Sequence, residues 1–167
     1  MEVYLASAAG LLSWCGKWRK IPTPLAHPTL LAACGADVAL ADSVNRLLYR
    51  QGRISTLPPG VEVLRCWRNQ LLTLSSETNC LTLYDAHDYP LVTSPAGIRP
   101  CDCAVVDCQV IVCGCEDGCL HIFSLPDLRE IAAYPVPGCP MRVAADGGVL
   151  TLSLIHISEP TRLALIS

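Results

Sequence analysis

An all-β fold is predicted, an incomplete ring of about three to four four-stranded antiparallel units. Three observations carry it: apolar runs of four to six residues cut by turn residues, a repeat of about 40 residues, and few stretches that would form an amphipathic helix. The runs are rich in β-branched and aromatic residues, which suit a pleated surface. They are punctuated by Thr78-Asn79, Glu116-Asp117-Gly118 and Asp146-Gly147-Gly148, residues that accept the backbone angles of tight turns.

In chain order, Val3–Ser7 and Leu11–Trp14 read as a first strand pair around Ala9-Gly10. The stretch from His27 to Cys34 is short enough to be one helical turn, but its place in the repeat makes it a strand. Asp37–Tyr49 then reads strand, turn, strand, followed by Ile54–Leu57 and the breaker Pro58-Pro59-Gly60. The clearest repeat sets Gln70–Tyr84 above Gln109–Phe123 at an offset of 39, and Pro100 above Pro140 at an offset of 40. One inserted loop residue explains the difference. Arg142–Thr151 opens a further copy, giving units near 28–60, 61–100 and 101–140. Four antiparallel strands cannot bury both faces alone, so such units must stack on one another. Units of this size stacked around an axis are the blades of a β-propeller.

Composition narrows the function. The 167 residues are 51% hydrophobic and 16% charged with a net charge of −3, which excludes intrinsic disorder. Without a Lys/Arg block, nucleic-acid binding by phosphate neutralisation is not expected. No run approaches the roughly 18 apolar residues that span a bilayer. Glu2 precedes the first apolar run while Lys17, Arg19 and Lys20 follow it, the reverse of an export signal, so the expected location is cytoplasmic. The 11 cysteines are then expected to be packed thiols rather than disulfides. Cys101-x-Cys103, Cys113-x-Cys115 and Cys115-x3-Cys119 are not the paired C-x2-C loops of structural zinc, and C-x-C on a strand points both thiols to one face.

Arg99–Ile131 resembles the YVTN-type repeat of the YncE-like β-propellers. Val110–Cys113 takes the place of the Tyr-Val-Thr-Asn strand, and Leu120–Phe123 that of the strand after it. Leu81–Asp85 keeps that strand's final Asp, which Ser124 replaces in the next copy. The pattern covers roughly residues 28–151. WD40 blades have a similar period, but no Gly-His followed by Trp-Asp occurs here. The resemblance implies a fold. The leading functional expectation is a non-catalytic domain that binds a protein or small ligand on a loop face. The alternative is a fragment of a lactonase-like enzyme, whose acid and metal-binding groups would converge on the central channel.

Leu152–Arg162 reads as the translation of a transposase adapter from tagmentation sequencing libraries, with Ile166-Ser167 matching its continuation after three variable codons. Residues 152–167 are therefore expected to be a non-native tail that breaks the repeat. Residues 1–151 are expected to be part of a longer propeller, prone to self-association through exposed blade edges.

No residue is assigned a catalytic, cofactor-binding or metal-binding role, and no cofactor is expected. Asp85-Ala86-His87-Asp88 is the densest acid/base cluster and reads as a solvated turn between strands. Glu116-Asp117-Gly118 reads as a hairpin turn, His121 as a packed or surface residue, and Trp14, Trp18 and Trp67 as blade packing. Gln70 with Gln109, and Cys80 with Cys119, occupy equivalent places and offer an enzyme little. Residues 101–151 carry seven acidic and two basic side chains, a solvated rim or a docking face for a basic partner.

Overall fold

The computed structural model describes residues 3–7, 10–35, 37–146 and 149–155, and every regular element among them is a strand. β1 (Val3–Ser7), β2 (Gly10–Trp14) and β3 (Trp18–Ile21) form a three-stranded sheet. Three four-stranded meanders follow. The first comprises β4 (Leu30–Cys34), β5 (Asp37–Asp42), β6 (Leu47–Arg50) and β7 (Arg53–Thr56). The second comprises β8 (Val61–Trp67), β9 (Gln70–Ser75), β10 (Cys80–Tyr84) and β11 (Pro90–Pro95). The third comprises β12 (Pro100–Val106), β13 (Gln109–Gly114), β14 (Cys119–Ser124) and β15 (Glu130–Pro135). β16 (Cys139–Asp146) and β17 (Val149–Ile155) make a final pair. All pairings are antiparallel, as the repeat predicted. β3 was not anticipated, because Trp-Arg-Lys-Ile hides its alternation behind two cations.

The first strands of successive sheets lie side by side, β1 against β4, β4 against β8, β8 against β12 and β12 against β16. Each sheet packs its faces on its neighbours, so every interface owns a separate apolar cluster. Leu11, Leu25 and Leu40 fill the first; Ala39, Leu48, Leu64 and Leu71 the second; Leu72, Leu74, Val110 and Phe123 the third; Ile111, Cys113 and Val143 the fourth. Leu71 and Leu72 are adjacent and both wholly buried, each in a different cluster. That is why the second strands read as continuous apolar runs instead of alternating. A β-bulge recurs at one place in three of the inner strands, between Val61 and Val63, Pro100 and Asp102, and Pro140 and Arg142.

Two sequence expectations need revision. Cys101 and Cys103 do not share a face: the bulge after Pro100 turns Cys101 towards the fourth cluster while Cys103 is buried in the third. Cys34 and Cys66 are not packed free thiols but a disulfide, with Cα atoms 5.3 Å apart, joining the first strands of neighbouring sheets. Leu152–Ile155, the first residues of the expected tail, lie in β17, pairing Leu152 with Val143 and Ile155 with Cys139. The alternation Leu-Ser-Leu-Ile is enough for that. The rest of the expected tail, 156–167, lies outside the described residues.

Candidate functional site

The adjoining first strands enclose a cavity of about 450 Å³ whose wall draws on β4, β8, β12 and β16. Ala32, Arg65, Ala104 and Ala144 stand at matching positions, each opposite its sheet's second strand, at Ala39, Leu72, Ile111 and Thr151. Three alanines and one arginine therefore form that level of the wall. The arginine is already engaged: its Nε donates to the Cys103 carbonyl (2.8 Å), one terminal nitrogen to the Leu64 carbonyl (2.9 Å), and the other to Asp102 Oδ1 (2.8 Å). Asp102 is buried, and its second oxygen accepts the Val143 N–H at 3.0 Å. One carboxylate thus ties β8, β12 and β16 together. A charge in the middle of each apolar run was the sequence signal for this pair, and the repeat alignment passed over it because the two residues are not at matching positions.

Asp85-Ala86-His87-Asp88, expected as a solvated turn, does structural work in part. Asp85 Oδ1 accepts the N–H groups of His87 (2.7 Å) and Tyr89 (2.9 Å), closing the β10–β11 turn, and the Tyr89 bond leads the effects that hold its pKa below the ordinary carboxylate value. Asp88 is withdrawn from solvent and pairs at 3.4 Å with Arg50, a guanidinium 1% exposed at the end of β6. Arg50 also donates to the carbonyls of Asn69 and, at 3.4 Å, Asp85. Its Nε has no partner among the described residues.

Glu116-Asp117-Gly118 is a hairpin turn, and His121 lies on the strand after it. Asp117 Oδ2 accepts the Ile98 N–H at 2.8 Å and faces His121 Nε2 at 3.0 Å, while Nδ1 faces Glu130 at 2.7 Å. Both ring nitrogens point at carboxylates, so the imidazolium, with two donors, is the form that satisfies them. Burial pulls the His121 pKa down, but the bonds to Glu130 and Asp117 outweigh it and leave the value raised. Burial likewise opposes ionisation of Asp117, and the bonds from Ile98, His121 and Cys119 hold it below the usual value. Neither ring nitrogen is free to take a proton from a substrate. A Cβ on Gly114 would stand 2.1 Å from Asp117 Oδ1, and one on Gly97 2.6 Å from His121 Nε2, so glycine at both places lets the pair lie against the backbone.

The stabilisation from the raised His121 pKa is fully present below the unfolded value of about 6.5 and is lost as pH rises through the folded value. That from Asp117 is lost as pH falls through its depressed value. His121→Gln is expected to flatten the alkaline loss. Melting temperature measured across pH 5 to 9 checks this, and an unchanged alkaline limb would count against it.

Trp14 and Trp18 are 38% and 52% exposed, their rings 5.3 Å apart across the β2–β3 turn, so they do not pack between described blades as expected. Trp67 does link blades, donating its indole N–H to the Asp107 carbonyl at 2.7 Å. Gln70 with Gln109 and Cys80 with Cys119 match in register but begin second and third strands, away from the channel wall. Cys113 and Cys103 are buried, and burial pushes the Cys103 thiol up to about 12. Between the last two sheets, Cys115 Sγ lies 2.6 Å from Cys139 Sγ, and Met141 Sδ is 3.6 Å from each. The contact with Cys139 is the main cause that pushes the Cys115 thiol up to about 11. Among the described residues no group of three or more His, Cys, Asp or Glu side chains is arranged to hold a metal ion, and no helix is long and apolar enough to cross a membrane.

The fold is that of a β-propeller. AztD from Citrobacter koseri is similar over 83% of this chain and 45% of its own, with a TM-score of 0.67 and 13% identity. The WD40 β-propeller domain of Doa1 is similar over 86% and 54%, with a TM-score of 0.62 and 11% identity. A catalytically inactive virginiamycin B lyase from Staphylococcus aureus is similar over 94% and 67%, with a TM-score of 0.65 and 12% identity. The chain thus spans about half the length of the first two. No family model and no curated protein matches the sequence.

Proposed function

We propose that the chain is part of a non-catalytic β-propeller of the YncE-like, YVTN-repeat kind that binds a protein or small ligand on a loop face. The channel wall carries this reading. Its matching level is three alanines and one arginine whose donors are spent on Asp102, Cys103 and Leu64. Hydrolysis of a lactone needs a polarised carbonyl and an activated water, and among the described residues the wall holds neither a free base nor converging carboxylates. The experiment is selection of displayed peptides on the purified chain, with hydrolysis of a γ-lactone panel followed in calcium. Saturable, competable peptide binding without turnover supports the proposal, and cation-dependent lactone hydrolysis overturns it.

We further propose that the ring is incomplete and self-associates. β17 is paired only with β16 among the described residues, and it exposes Val149 and Ile155 on one face and Leu150 on the other, apolar side chains beside an open edge. Sedimentation velocity is expected to show species that grow with concentration, and a monodisperse monomer at every concentration would refute this.

A further inference from the structure

We infer that Cys115 and Cys139 are an oxidisable pair whose disulfide clips the last two sheets together. Cys115 sits in the turn after β13 and Cys139 opens β16, so the bond would cross the fourth blade interface. Their sulfurs, 2.6 Å apart, are inside van der Waals contact. Two thiolates around one tetrahedral zinc ion stand about 3.8 Å apart, given Zn–S bonds of about 2.3 Å, so the separation suits bond formation better than chelation. The Cys34–Cys66 disulfide makes the same kind of link, from β4 to β8, two interfaces earlier. The oxidant has a way in. A cavity of about 220 Å³, lined by Glu62, Ser76, Arg99, Cys101, Cys115 and Met141, opens beside the pair, and Cys115 is only half-buried.

The oxidant is a low-molecular-weight disulfide such as oxidised glutathione. Cys115, held as a thiol by its contact with Cys139, gives its proton to solvent and the resulting thiolate attacks one of the oxidant's sulfurs; the S–S bond breaks, and one glutathione thiolate leaves. The Cys139 thiolate then attacks the Cys115 sulfur of the mixed disulfide and expels the second. Two electrons pass from the cysteine pair to the oxidant, and the two cysteine protons end on the two glutathione thiols.

Trypsin separates the partners: it does not cut Arg99-Pro100, so residues 69–129 hold Cys80, Cys101, Cys103, Cys108, Cys113, Cys115 and Cys119 while residues 130–142 hold Cys139 alone. The purified chain is reduced, equilibrated in glutathione buffers of rising oxidised fraction, alkylated, digested and analysed by mass spectrometry. The expected product is the two peptides joined through Cys115, absent in Cys115→Ser and retained in Cys101→Ser. Oxidation of the unmodified chain is also expected to slow amide exchange in β16 by about tenfold, a reading that does not depend on any variant folding. Cys139 alkylated in every buffer, or a link that runs through Cys101, would overturn the inference.

Discussion

Arg50→Ala is expected to lower stability by about 3–5 kcal/mol, read as a fall of about 2 M in the urea midpoint. The side chain is 1% exposed and reaches out of one sheet into two loops of the next, where it meets Asp88 and the carbonyls of Asn69 and Asp85. Truncation removes the partner of a withdrawn carboxylate and leaves two carbonyls and a void in the second blade interface. Each is costly by itself, because water cannot follow. Arg50→Lys is expected to recover only part of the loss, since a single ammonium on a flexible stem cannot reach three acceptors set around a planar fork. Arg50→Met combined with Asp88→Leu is expected to cost less than Arg50→Ala alone, because it removes both charges together. A double variant as damaging as the sum of its parts would show that Arg50 and Asp88 act separately.

Asp102→Ala is expected to cost about 2–3 kcal/mol, the smaller figure reflecting that the Arg65 side chain is 38% exposed and can recover water. The Val143 N–H cannot. It lies at a buried residue of β16 and its acceptor is Asp102 Oδ2. Asp102→Asn keeps an oxygen for one donor and is expected to fall between Ala and the unaltered chain. Urea denaturation ranks the three. Equal losses for Ala and Asn would mean that charge, and not the bond to β16, carries the effect.

Strand order was legible because the three middle sheets meet apolar interfaces on both sides, and a wholly buried strand writes itself as a run such as Gln70–Ser75 or Gln109–Gly114. What the pattern could not convey was connection between copies. Arg50, Arg65 and Asp102 each bond to a residue 35 or more positions away, and a repeat alignment compares equivalent positions, whereas these links join unlike ones. Cys101 was misplaced for a different reason. Period-two reasoning assumes an unbroken ladder, and a bulge shifts the phase by one residue without any mark in the sequence except Pro100. The Cys34–Cys66 bond was hidden by the charge order at the N-terminus, which argued for reduced thiols and says nothing of which sulfurs meet.

The four apolar clusters share no residue, and each belongs to one pair of adjoining sheets. Stability in such an array is a chain of nearest-neighbour couplings, closer to a one-dimensional stack than to a single droplet of core. Damage therefore stays where it is made. A substitution in the Leu11–Leu40 cluster unzips one end, while the same loss at Leu72 or Phe123 splits the array in two and leaves neither half with enough partners. Heating should accordingly erode the stack from its outer sheets inward, with the sheet built from β8 to β11, flanked on both sides, the last to let go.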